Sequence, residues 1–260
     1  MKRTSLILLL CVLGFYIIFA QEQTKSIKDV DNTLSKNERR YLERMIDYEI
    51  EFFNTIFLHS KYVELNVDII VFSKYAAYLA YQHEIGKNIH IRSGGFYSHR
   101  DNQIVICKDQ FEKSFLSACY HELSHFLLSE RTMHAPMWLN EGIATYMDNV
   151  KISSKDIKHE QEQYLVTRVK TMIELKDINL REFVSWSYKE FSEASFSHDS
   201  YGYAIAHCMT HLMMDNKESA FNIIRAVCNE RMATVEAFDL HYTGGFDQFE
   251  KDFFNRYSSN

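Results

Sequence analysis

The sequence predicts an α+β protein: a small mixed sheet with helices in the N-terminal half, a His-Glu-x-x-His helix at the join, and an all-helical C-terminal half. Three observations predict it. The β-type runs "VDIIVF", "NIHIRSGGFYS" and "NQIVIC" all fall before residue 108. Beyond Pro136 the apolar residues recur at helical spacing, with no strand signal as strong. One proline and eight glycines in 260 residues leave few breaks in long helices.

The first twenty residues stand apart. Lys2 and Arg3 precede the apolar run "LILLLCVLGFYIIFA", and the chain then turns polar at "QEQTKSIKDVDN". This is the outline of a secretory signal peptide over residues 1–20, with cleavage expected after Ala20. An uncleaved N-terminal anchor is the alternative. Export to the periplasm or the medium follows, with no stable membrane insertion after cleavage. Residues 21–37 are polar, lack apolar periodicity and read as a tether. Residues 38–260 form the folded domain, divided into an α/β part (38–130) and a helical part (131–260).

Within the domain, Tyr41, Leu42, Met45, Ile46, Phe52, Phe53 and Ile56 mark a helix from Glu38 to His59. Val67–Phe72 reads as a strand. "SKYAAYLAYQHE" reads as a helix with Ser73 as its N-cap. Ile89–Tyr97 and Gln103–Cys107 read as strands joined by a turn at "HRDN". Phe111–Ser129 is helical again, and Pro136 is placed to open the next helix. Gly244-Gly245 breaks the chain before the amphipathic "FDQFEKDFFNRY".

Composition limits the functions. The formal net charge is −6, which excludes a general affinity for nucleic acid. Cys107, Cys119, Cys208 and Cys228 show no C-x-x-C spacing, so a cysteine zinc knuckle is excluded. Export permits disulfides, but the apolar surroundings of these residues suit buried thiols equally well.

The chemistry concentrates in "HELSH". Four residues make about one helical turn, so His121 and His125 project from one face and can share one metal ion. Glu122 lies about 100° further round, where it suits a general base and not a third ligand. A catalytic metal site of this kind takes three protein ligands and an open position. "PMWLNEGIATYM" supplies Glu141 on a second helix, with Gly142 beside it to allow close helix packing. His207 and His211 are also four apart, but their apolar setting makes them packed or capping histidines. His198 precedes Tyr201 in a loop from which it can reach the cleft and contact substrate.

"HELSH…WLNEGIATY" resembles the gluzincin metallopeptidases, and is closest in character to exported bacterial proteins of the peptidase MA-like group. The likeness extends through "GGFYSHRDNQIVI", "DSYGYAIAHCMTHLM" and "TGGFDQFEKDFFNRY", covering roughly residues 65–257. It implies a thermolysin-like catalytic domain with one Zn2+ per chain. His121, His125 and Glu141 match the metal ligands, Glu122 the general base, and Tyr201 the tyrosine that assists the oxyanion. Tyr203 is a neighbour on a different helical face. The implied function is an exported peptidase acting on a peptide or protein substrate, with a strand near "NQIVIC" pairing with it. Two departures matter. No Gly-x-Met-Glu-Asn segment precedes His121, which argues against an aminopeptidase. Thr145 stands where thermolysin-type chains place an aspartate, which leaves Asp148 as a residue to orient a histidine. The rival reading is a non-catalytic module that keeps the fold and binds a peptide or an envelope partner.

Overall fold

The computed structural model describes residues 26–57, 67–86, 94–110, 115–153, 156–197 and 200–258. The signal-peptide segment and His198 lie outside them. The sheet comes first. Strands β1 (Ser26–Asp29), β2 (Asp68–Phe72), β3 (Gly95–Ser98) and β4 (Gln103–Cys107) lie in the order β1-β2-β4-β3. β1, β2 and β4 are parallel, and β3 returns antiparallel to β4 through the turn at 99–102, where Asn102 has φ 51°. The sheet is therefore mixed, as the sequence predicts.

The polar segment before residue 38 is not a free tether from Ser26 onward. Ser26–Asp29 pairs with Asp68–Val71, and Ile27 packs against the main core. Asp29 then turns the chain, its carboxylate accepting from the Thr33 N–H at 2.9 Å and the Leu34 N–H at 2.7 Å. A capping box follows: the Ser35 N–H donates to Glu38, and the Glu38 N–H to the Ser35 hydroxyl. It opens α1 (Lys36–Phe57), two residues earlier than the periodicity predicts.

Both faces of the sheet are covered. Ile69, Val71, Ile104 and Ile106 face α1 and the motif helix α3 (Phe115–Ser129); Ile70, Phe72, Val105 and Cys107 face Tyr78 of α2 (Tyr75–Glu84). This is the alternation expected of strands buried on both sides. Ser73 does not cap α2. Its hydroxyl and N–H donate to Asp31, and Lys74 takes the N-cap position without a side-chain bond.

α4 (Met137–Met147) follows, opened by Pro136 as expected. The half beyond it is not purely helical. β5 (Val150–Ile152) and β6 (Ile157–His159) form an antiparallel hairpin. Then come α5 (Gln163–Glu174), α6 (Leu180–Phe183), α7 (Tyr188–Ser197), α8 (Tyr201–Met213), α9 (Lys217–Cys228), α10 (Thr234–His241) and α11 (Gly245–Tyr257). Gly244 and Gly245 adopt φ 84° and 72°, the left-handed turn that starts α11. Cys107, Cys119, Cys208 and Cys228 are buried free thiols. Among the described residues, no helix is long and apolar enough to cross a membrane.

His159 fastens the hairpin to the helices. Its ring stacks on Tyr146 with centroids 3.8 Å apart. Nδ1 donates to the Tyr146 carbonyl, so Nε2 accepts from the Tyr48 hydroxyl at 2.6 Å. Burial pushes the imidazole pKa from its usual 6.5 down to about 4. The unfolded chain then binds a proton between those pH values that the folded chain refuses. Stability from this group is complete above pH 6.5 and is lost as the pH falls towards 4. Calorimetric melting across this range should show the wild type losing stability more steeply than His159→Phe. Parallel profiles would remove His159 as the cause.

Candidate metal centre

The site is built by two helices held at a fixed approach. α3 carries His121, Glu122 and His125, and α4 carries Glu141. α4 is pressed against α8 at Gly142. A Cβ there would lie 2.3 Å from the Thr210 hydroxyl and 2.9 Å from the Ala206 carbonyl, so no larger residue fits. On its other side α4 packs on α3 through Leu139 and Ile143, which share one core with Leu123 and Leu127. Glu141 thereby faces both histidines.

The geometry is tight. Nε2 of His121 lies 3.4 Å, and Nε2 of His125 3.6 Å, from Oε2 of Glu141. The three ligand atoms all fall within 4.8 Å of one another. Glu141 is 7% exposed, and its Oε2 is buried without a hydrogen-bond partner. A buried carboxylate oxygen is strongly destabilising unless a cation or a proton donor faces it. Burial pushes the Glu141 pKa up, but the imidazoles of His125 and His121 outweigh it, and the net shift is downward. The group can hold one metal ion.

Each imidazole is turned by a second residue. His121 Nδ1 donates to Asp148 at 3.2 Å, and His125 Nδ1 to the Asn140 amide oxygen at 3.0 Å. An amide or carboxylate oxygen only accepts, so each Nδ1 carries a proton, and Nε2 is the ring nitrogen turned to the centre, the one a metal ion would take in exchange for a proton. Burial lowers the His121 pKa, but Asp148, Glu141 and Glu122 overcome it and hold the pKa well above the ordinary value. Asp148 is thus the orienting acid that Thr145 is not; the Thr145 hydroxyl donates to the Glu141 carbonyl along its own helix. Asn140 escapes the sequence analysis, although it adjoins Glu141 in "NEG".

Behind α3 lies a further buried acid, Glu49 of α1. It is fully buried, accepts from the Ser124 hydroxyl at 2.9 Å, and burial pushes its pKa well above the usual range. Glu122 is half-buried beside β3. The position of a Cβ on Gly95 would lie 3.6 Å from Glu122 Cγ, so this strand borders the motif.

One expected position has other partners. The Tyr201 hydroxyl donates to the Asp177 carbonyl, and its ring stacks on Trp186. The acids whose charges reach its phenol are Asp177 and Glu182, remote from the ligands in sequence and place. Tyr203 is the tyrosine that senses the centre: burial raises its pKa first, followed by the charges of Glu141 and Glu122. His207 is a cap, its Nε2 accepting from the Glu162 N–H at the start of α5, while His211 packs edge-on against Tyr146. Neither joins a metal-binding group among the described residues.

A family model described as a protein of unknown function, DUF1570, matches residues 117–233. The chain is similar to that family over the stretch that contains the three ligands, Glu122, Asn140, Asp148 and Tyr203. No curated protein matches the chain.

Changing Asp148 or Asn140 to alanine should lower metal affinity by about 10–100-fold each, the usual cost of losing an orienting partner. Competition with a chromophoric chelator measures it. Unchanged affinity in both variants would show that the histidines are oriented by packing alone.

Proposed function

We propose that the chain is an exported zinc-dependent peptidase of gluzincin type. The carrying observation is the ligand triangle. A tetrahedral ion with bonds of about 2.1 Å separates neighbouring ligand atoms by about 3.4 Å. The Glu141 oxygen stands at 3.4 and 3.6 Å from the two imidazole nitrogens. A two-imidazole, one-carboxylate set suits zinc and leaves one position open. Zinc held there would polarise the scissile carbonyl and lower the pKa of its bound water.

The chain's own residues perform the remaining work. Glu122, one position beyond His121, takes the attacking water's proton and delivers it to the leaving amine. Tyr203 stabilises the oxyanion by donating from its phenol, which its raised pKa keeps protonated. Tyr201 is not available for this role, being committed to Asp177.

The substrate strand is β3, and this replaces the expectation built on "NQIVIC". β4 lies inside the sheet between β2 and β3, whereas β3 is an edge strand among the described residues. The Cys107 N–H donates to the Gly94 carbonyl at 2.7 Å. With the register of the pair, this makes Phe96 and Ser98 the residues that exchange bonds with β4, and turns the Tyr97 backbone groups away from it. An extended peptide laid along β3 by strand addition passes Glu122. The lack of the amine-holding segment upstream of His121 argues for cleavage away from a free N-terminus.

Glu122 separates this reading from a non-catalytic binding module, since the metal does not require it. Glu122→Gln should retain one zinc per chain and lose about 10²–10⁴-fold in turnover of a peptide library. A wild type that cleaves no peptide in a zinc-dependent manner would sink the peptidase reading. Under the same assay Tyr203→Phe should lower kcat more than Tyr201→Phe. The reverse order would return the oxyanion role to Tyr201.

A further inference from the structure

A cavity of about 690 Å³ opens on the far side of α4 from the metal ligands. Five residues along a helix turn through about 500°, so Tyr146 leaves α4 roughly 140° away from Glu141. Tyr146 forms the cavity floor together with His211 of α8, and His159 stands beside them. The mouth carries Lys217, Asp215 and Arg256.

One buried polar atom on this floor lacks a partner, and a tyrosine hydroxyl beside it makes no hydrogen bond of its own. Tyr146 is 5% exposed, and its hydroxyl makes no hydrogen bond among the described residues; the charge that reaches it is that of Asp215 at the mouth. His211 is 7% exposed, and its Nε2 is buried without a partner. Buried polar groups in native proteins are nearly always satisfied, so the unpartnered Nε2 on this cavity wall needs an explanation. The charges at the mouth are unbalanced. Asp215 is paired with Arg256, and Glu160 faces Lys151 at 4.0 Å. Lys217 has no carboxylate partner among the described residues. It is the first residue of α9, where the helix dipole adds further positive potential.

We propose that this cavity is a second ligand site that takes a small oxyanion, a carboxylate or phosphate group on a compact molecule. The anion lies between Lys217 and the floor. It accepts from the Tyr146 hydroxyl and from the Nε2–H of His211, an atom with no other partner in the structure. The volume matches that of pockets for small organic ligands, roughly 300–1,000 Å³. The inference is independent of the peptidase reading, since none of these groups belongs to the metal centre.

Inorganic phosphate and succinate serve as separate probes, titrated into the zinc-loaded full chain by calorimetry while the imidazole ¹⁵N signals are followed. The expected result is saturable binding of at least one probe with a shift of the His211 signal. Lys217→Met and Tyr146→Phe should each weaken it at least tenfold without changing zinc content. Lys217 is exposed, so its variant should fold. Phosphate binding alone assigns a phosphate ligand, and succinate binding alone a carboxylate. Two outcomes overturn the proposal: no saturable binding of either probe, or binding that survives both substitutions and shifts only His121 and His125.

Discussion

The fold is organised around a buried negative oxygen, Oε2 of Glu141, held between two imidazoles. A carboxylate this buried is tolerated only where positive charge or a metal ion faces it. The requirement reaches well beyond the three ligands. α4 must lie close enough to α8 for a glycine to be obligatory at position 142, where a side chain would strike Thr210 and the Ala206 carbonyl. It must also stay in contact with α3, or the 3.4 and 3.6 Å separations are lost. Leu123, Leu139 and Ile143, all fully buried, set that distance through side-chain volume.

The N-terminal half fixes where α3 itself lies. The sheet buries Ile104 and Ile106 against the helical layer, and α1 packs behind α3 with Phe53 and Ile46 at no exposure. Glu49 is the polar exception in this layer. Its bond to Ser124 sits on the turn of α3 between His121 and His125. The bond ties the rotation of α3 to α1 at that point. The capping box at Ser35 and Glu38 extends the same support, since Glu38 also pairs with Lys108 at the end of β4 at 2.9 Å. Helix start, sheet end and motif helix are thereby tied together.

The parts legible in the sequence were those with a strong local period or a fixed spacing. His121, His125 and Glu141 followed from helix geometry plus the length of one loop. Gln103–Cys107 stood out because both its faces are apolar. What escaped depended on long-range partners. β1 reads as polar because Lys28 and Asp68 face solvent at the edge as a pair, and only Ile27 enters the core. β5 and β6 are three residues each, too short to establish a period, and they are held by His159 contacts more than 100 positions away in Tyr48. Ser73 has the composition of an N-cap, yet Asp31, 42 residues earlier, claims its hydroxyl. The resemblance pointed to Tyr201 and set Tyr203 aside. What separates them is the Asp177 carbonyl, which lies on a different segment.

α4 joins the two polar centres of the molecule. One of its faces presents Glu141 to the motif helix, and another presents Tyr146 to His159 and His211. Its last turn delivers Asp148 to His121. The Tyr146 carbonyl that accepts from His159 is two residues before Asp148, so the hairpin, the cavity floor and the partner of His121 share a single helical turn. A rigid helix of eleven residues moves as a unit, and packing on both sides leaves it little freedom to tilt. Glu141 is fixed by the close approach of Gly142 to α8, whereas Asp148 stands at the helix end and is held through its bond to His121.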